Sequence, residues 1–257
     1  MKRCITTILS CLAVAGGAVL AYMTSAAALA ETASYLDKLP FTCGLILLIA
    51  GLAVLIAAWM PRKNQVNVRT LSMAALFAAL SYVGFAYFKI DIPVPGAGST
   101  AFHLGNVFCV LGALFLGGFW GGMAGAVGLT IADLMDPKYI TSAPKTFFLK
   151  LCIGVIAGLV AHKAFQLSKD RPRKLSLPLA TVLSCIAGMA FNVVADPVVG
   201  YFYKMYVLGI PQDFAKTLAK LNSITTLVNA IIAVIAASVL YLAIRPALKK
   251  ARLLPHI

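Results

Sequence analysis

The chain alternates long apolar runs with short polar connectors. A bilayer-spanning helix needs roughly 20 apolar residues, and eight runs are candidates: 4–30, 41–60, 69–88, 102–116, 119–135, 147–166, 177–199 and 217–244. The fourth and fifth are short, and only Leu116-Gly117-Gly118 separates them. They read as a tight helical hairpin. The first run has a basic start at Lys2 and Arg3 and ends on Ala28-Leu29-Ala30 before Glu31. That ending resembles a signal-peptidase site. The run is long for a signal sequence, and retention as a helix is the favoured reading. The expected fold class is an all-α integral membrane protein. A two-helix apolar extension, 1–64, precedes a six-helix membrane domain, 65–257.

Composition supports that pattern. Of 257 residues, 61% are hydrophobic and 12% charged, whereas soluble domains have about 45–50% and about 25%. An ordinary soluble enzyme and a disordered chain are excluded. The formal net charge is +14, which in a soluble protein would point to nucleic acid. Here the basic residues cluster in alternate connectors: Lys2 and Arg3, then Arg62, Lys63 and Arg69, then Lys163 to Lys174, then Arg245 to Arg252. Asp170 is the one acidic residue among them. The positive-inside rule places these connectors in the cytoplasm. Both termini are then cytoplasmic, the opposite face is nearly neutral, and no nucleic-acid partner is expected. A neutral outer face suits an uncharged ring compound.

Polar residues inside apolar helices are costly and mark function. His103 and Asn106 begin the fourth run, and Asp133 and Asp136 end the fifth. Lys145 and Lys150 lie at the start of the sixth, Asn192 and Asp196 near the end of the seventh, and Asn222 and Asn229 in the eighth. All fall at the outer depth, so they fit one pocket opening outward. Tyr201, Phe202, Tyr203 and Tyr206 flank it as interfacial anchors or stacking surfaces. Over this depth runs Lys89-Ile90-Asp91-Ile92-Pro93-Val94-Pro95-Gly96-Ala97-Gly98-Ser99-Thr100, which reads as a lid.

Small residues mark close packing. Ala74/Ala78 and Ala75/Ala79 make two overlapping small-x-x-x-small pairs on the 69–88 helix. They serve a partner helix or packing within the chain. Gly112, Gly117, Gly118, Gly121, Gly122, Gly125 and Gly128 read as dense internal packing. The six cysteines are scattered and form no metal or disulfide framework. No nucleotide-binding P-loop is present.

From Ile92 to Gly158 these residues resemble substrate-binding S components of energy-coupling factor (ECF) vitamin transporters, riboflavin-type group. The likeness rests on Ile92-Pro93-Val94-Pro95-Gly96, His103-Leu104-Gly105-Asn106 and Leu116-Gly117-Gly118. It continues through Gly121-Gly122-Met123-Ala124-Gly125-Ala126-Val127-Gly128, Ala132-Asp133-Leu134 and Ala143-Pro144-Lys145-Thr146 to Lys150. More loosely it extends over 66–252. The family often has Leu-Gly-Asp where this chain has Leu104-Gly105-Asn106, an amide for a carboxylate. The resemblance implies a six-helix, non-enzymatic vitamin-binding subunit in a bacterial cell membrane. It implies a membrane coupling protein and two cytoplasmic ATPases as partners, with ATP used by them and no cofactor here. It places the gate at Asp91–Thr100 and the coupling contact on Ala74 and Ala78 or on Ala75 and Ala79. The expected substrate-binding residues are Lys89, Asp91, His103, Asn106, Asp133, Lys150, Asn192 and Asp196, as hydrogen-bonding or orienting groups. Riboflavin is the first expected vitamin; a pyrimidine, a thiamine precursor or pyridoxine is the alternative. Two other functions compete. One is a proton-coupled secondary transporter titrating Asp133 or Asp196. The other is an intramembrane enzyme holding a metal on Asp133 and Asp136.

Overall fold

A computed structural model describes residues 68–94, 98–168 and 175–251. The apolar runs 4–30 and 41–60, and the basic residues of the 169–174 connector, lie outside the described residues. Within them there are six α-helices and one two-stranded ribbon. Helix α1 is Val68–Ala86. Strands β1, Lys89–Val94, and β2, Gly98–His103, follow. Then come α2, Gly105–Leu116, and α3, Gly118–Met135. A 3₁₀ turn, Ile140–Ser142, leads into α4, Ala143–Leu159, which ends in a π turn, Val160–Ala164. Helices α5, Leu177–Tyr206, and α6, Gln212–Lys250, complete the bundle.

The lid stretch is an antiparallel hairpin rather than an open loop. Lys89 pairs with His103, Asp91 with Ala101, and Pro93 with Ser99. Ile90 and Ile92 are β-branched and favour extended backbone. Pro93 lacks an N–H, which a two-stranded ribbon tolerates at its edge. The strand takes the residues up to His103, so α2 begins at Gly105 instead of 102.

The helical hairpin at Gly117 matches expectation. Gly117 has φ +82°, a backbone region that glycine occupies at little cost. One residue thus reverses the chain between α2 and α3. Helix α4 starts earlier than expected because Pro144 suits a first turn. Helix α5 continues through Pro197 to Tyr206. At 39 residues, α6 spans about 58 Å at 1.5 Å per residue, longer than the ~30 Å hydrocarbon core.

Four helical stretches are long and apolar enough to cross a membrane: Val68–Ala86, Ile140–Ala164, Leu177–Tyr206 and Gln212–Lys250. Their exposed faces carry large apolar residues, among them Leu76, Val194, Ile235 and Val239. Such faces suit lipid rather than water. Helix α2 sits centrally, with Cys109, Val110, Ala113 and Leu114 at most 1% exposed.

Glycines bring the helices together within the chain. The backbone of Gly122 meets Gly154, Gly118 meets Gly158, and Gly121 packs on Gly112 and Ala113. A stripe of small residues on each side permits such backbone contact. Gly128 rests on Ala78 and Ser81 of α1. That contact divides the alanine strip. Ala74 is buried and Ala78 packs inward, whereas Ala75 and Ala79 are exposed. The three described cysteines, Cys109, Cys152 and Cys185, are buried and free.

Candidate functional site

The hairpin end of the bundle encloses a polar cavity of about 80 Å³. Residues from β2 and from all six helices line it. Six of the expected site residues converge there: His103, Asn106, Asp133, Lys150, Asn192 and Asp196. They come from β2 and from α2, α3, α4 and α5, segments far apart in sequence.

Asp196 is the hub. Lys145 Nζ donates to its Oδ1 at 2.7 Å, and Asn222 Nδ2 and Thr226 Oγ1 donate to its Oδ2 at 3.1 and 3.2 Å. The second carboxylate, Asp133, is 4% exposed and accepts from Thr146 Oγ1 at 2.5 Å. Lys150 is 7% exposed and donates to Asn192 Oδ1 at 3.4 Å. The β2 strand is sewn to α6. His103 N–H donates to Asn229 Oδ1, Asn229 Nδ2 donates to the Ala101 carbonyl, and the Thr100 and Thr225 hydroxyls lie 2.8 Å apart. Gly105 N–H donates to His103 Nδ1. The ring nitrogen that then carries the proton is Nε2.

Two buried polar atoms in this wall have no partner among the described residues: Asn106 Oδ1 and Asn192 Nδ2. Leaving such a group unmade costs about 1–3 kcal/mol. One is an acceptor and the other a donor, so a ligand offering both would satisfy them.

Lys89 and Asp91 stand elsewhere. Residues two apart on a strand share a face, and this face of β1 meets the α3–α4 connection. Lys89 Nζ donates to Asp136 and lies 5.1 Å from the centroids of the Phe85 and Tyr139 rings. Asp91 accepts from Lys138 Nζ at 2.6 Å and from Tyr139 Oη at 2.9 Å. The two residues latch the hairpin instead of lining the cavity. Tyr139 and Phe85 also line the cavity, so latch and pocket share a wall.

The latch carboxylates have shifted acidity. Burial works to raise the Asp91 pKa, but the Lys138 and Tyr139 hydrogen bonds and the Lys89 charge outweigh it and hold it below 3.8. The Lys89 hydrogen bond holds Asp136 below 3.8 as well. Groups with depressed native pKa values stabilise the fold above their unfolded pKa and lose that contribution as pH falls through the native value. Hydrogen exchange of the hairpin amides, corrected for intrinsic rates, should therefore show equal protection at pH 7 and pH 5. Protection should begin to fall as pH drops from about 5 towards 3.8 and keep falling below it.

Lys145, Asn222 and Asn229 join the cavity although they are outside the expected binding set. So do Thr100, Thr146, Lys204, Thr225 and Thr226. The α6 residues Asn222, Thr225, Thr226 and Asn229 follow i, i+3, i+4, i+7 spacing, a one-face signal in the sequence. Tyr201, Phe202, Tyr203 and Tyr206 do not line the cavity; Tyr203 Oη donates to the Thr141 carbonyl. Asp133 and Asp136 part company, one bonded to Thr146 and the other to Lys89.

The family model described as ECF-type riboflavin transporter, S component, matches residues 65–246. The chain belongs to that family. Comparison with curated proteins and with solved structures returns no match. Members are membrane-embedded transport subunits that bind a vitamin and work with an ECF module; they are not enzymes. The cavity is thus the candidate vitamin site of an S component.

Proposed function

We propose that this chain captures riboflavin, or a related ring-containing vitamin, for ATP-driven uptake. The observation that carries this reading is the pair of unpartnered atoms, Asn106 Oδ1 and Asn192 Nδ2, in the wall of a polar cavity. A flat heterocycle with neighbouring carbonyl and N–H groups satisfies both. His103, Lys150, Asp133 and Asp196 hold or orient it, and none acts as a catalyst. The cavity of about 80 Å³ is well under the ~300–1,000 Å³ of sites for drug-sized ligands. Binding therefore moves the β1–β2 hairpin, with the Lys89–Asp136 and Lys138–Asp91 pairs as its latch. Ala75 and Ala79 face outward on α1 beside Leu71 and Leu76. They present a flat strip to the membrane coupling protein, which is served by two cytoplasmic ATPases. The bacterial cell membrane is the location, with both termini in the cytoplasm.

Uptake of labelled vitamin into cells tests the reading. Transport should require the ATPase partners and survive a brief uncoupler treatment that leaves ATP intact. Uptake that persists without those partners and collapses with the uncoupler would select a proton-coupled transporter instead. Ala79→Leu should cut recovery of the ATPase partners on pull-down by about tenfold or more, since a larger side chain holds the helices apart where small residues permit close packing. Vitamin binding by the purified Ala79→Leu chain should be unchanged.

A further inference from the structure

The cavity is not electrically balanced. Its lining holds three lysines, Lys145, Lys150 and Lys204, against two aspartates, Asp133 and Asp196. Lys145 is committed to Asp196, whose other oxygen is filled by Asn222 and Thr226. Thr146 occupies Asp133. Lys150 rests on a neutral amide oxygen, that of Asn192. No hydrogen bond or ion pair among the described residues reaches the Lys204 ammonium. The hairpin latch lends no charge, because Lys89 and Lys138 already match Asp136 and Asp91. A cation left without a counter-charge in a partly buried site is costly. A neutral ring leaves that cost in place, and a ligand with one acidic group removes it.

We infer that the preferred ligand carries an acidic substituent, a phosphate monoester or a carboxylate, and that Lys204 meets it. This rests on the vitamin-site reading above and sharpens its substrate class. The ring occupies the Asn106–Asn192 end. Lys150, 7% exposed and already donating to Asn192, belongs to that deep end. Lys204 is only half-buried, in the last turn of α5. A lysine there also complements the helix dipole, and that role alone would give it no preference between ligands.

The test compares matched flavins on the purified full chain by fluorescence quenching: riboflavin, its 5′-phosphate, and 10-carboxymethylflavin against lumiflavin. At low salt an acidic member should bind about tenfold or more tightly than its neutral partner, the range of a charge-assisted hydrogen bond. The advantage should narrow as salt rises. Which acidic member gains distinguishes phosphate from carboxylate. In Lys204→Gln the ratio of acidic to neutral affinity should fall towards one, and Lys204→Arg should keep it. Neutral flavins binding as tightly as acidic ones overturn the inference and leave the vitamin site standing. A Lys204→Gln ratio equal to wild type overturns the role of Lys204. Failure of every flavin to bind overturns the flavin reading of the site, and the inference with it.

Discussion

Asp196→Ala should abolish vitamin binding and lower the stability of the bundle by about 3 kcal/mol, the loss typical when one partner of a buried ion pair is removed. The carboxylate receives three donors from two helices: Lys145 on α4, and Asn222 and Thr226 on α6. Its side chain is 15% exposed and that of Lys145 10%. Truncation leaves the Lys145 ammonium and two further donors without an acceptor in a poorly hydrated wall. Asp196→Asn keeps the shape and removes the charge, so it separates packing from electrostatics. Thermal unfolding in detergent, with binding measured on the same samples, reads both effects. An unchanged midpoint in both variants would show that the network carries no stability.

Gly154→Val should prevent recovery of a monodisperse protein. An added Cβ at this position falls on the backbone of Gly122. Side chains can rotate away from a clash, but a helix backbone cannot. Overpacking a core costs typically about 1–3 kcal/mol, with more where nothing yields. Here α3 and α4 must separate along the whole Gly118–Gly122 and Gly154–Gly158 contact. Membrane-inserted yield and size-exclusion profile measure the outcome. Gly209→Ala, at a site with nothing within 4 Å of the added carbon but φ +66°, should be far milder.

Much of this was written in the sequence, for identifiable reasons. Helical runs are legible because lipid demands continuous apolar stretches, and Gly117 is legible because a one-residue reversal needs glycine. The convergence of Asn106, Asp133, Lys150, Asn192 and Asp196 follows from depth. Polar groups at one height on neighbouring helices have nowhere to face but each other. Lys89 and Asp91 show where that logic stops. Depth placed them near the cavity, but the period-two alternation of β1 turns both towards Asp136, Lys138 and Tyr139. Those partners lie 47 and 48 residues away, a pairing that no local pattern reveals. Pro93 and Gly96 advertise a loop, which masks the short Lys89–Val94 strand. The alanine strip looked like one surface, yet the packing of Gly128 against Ala78 assigns half of it to the interior. Lys204 escaped notice because it follows the apolar part of α5, beyond the expected end of the helix at 199.

The most direct test of the central claim, that this cavity is a vitamin site, is mass spectrometry of small molecules that co-purify with the detergent-solubilised chain. Cells supplied with a vitamin mixture should yield a ring-containing vitamin close to one per chain, absent from the Asp196→Ala protein. Lipid and detergent alone, or a vitamin retained equally by Asp196→Ala, would contradict it.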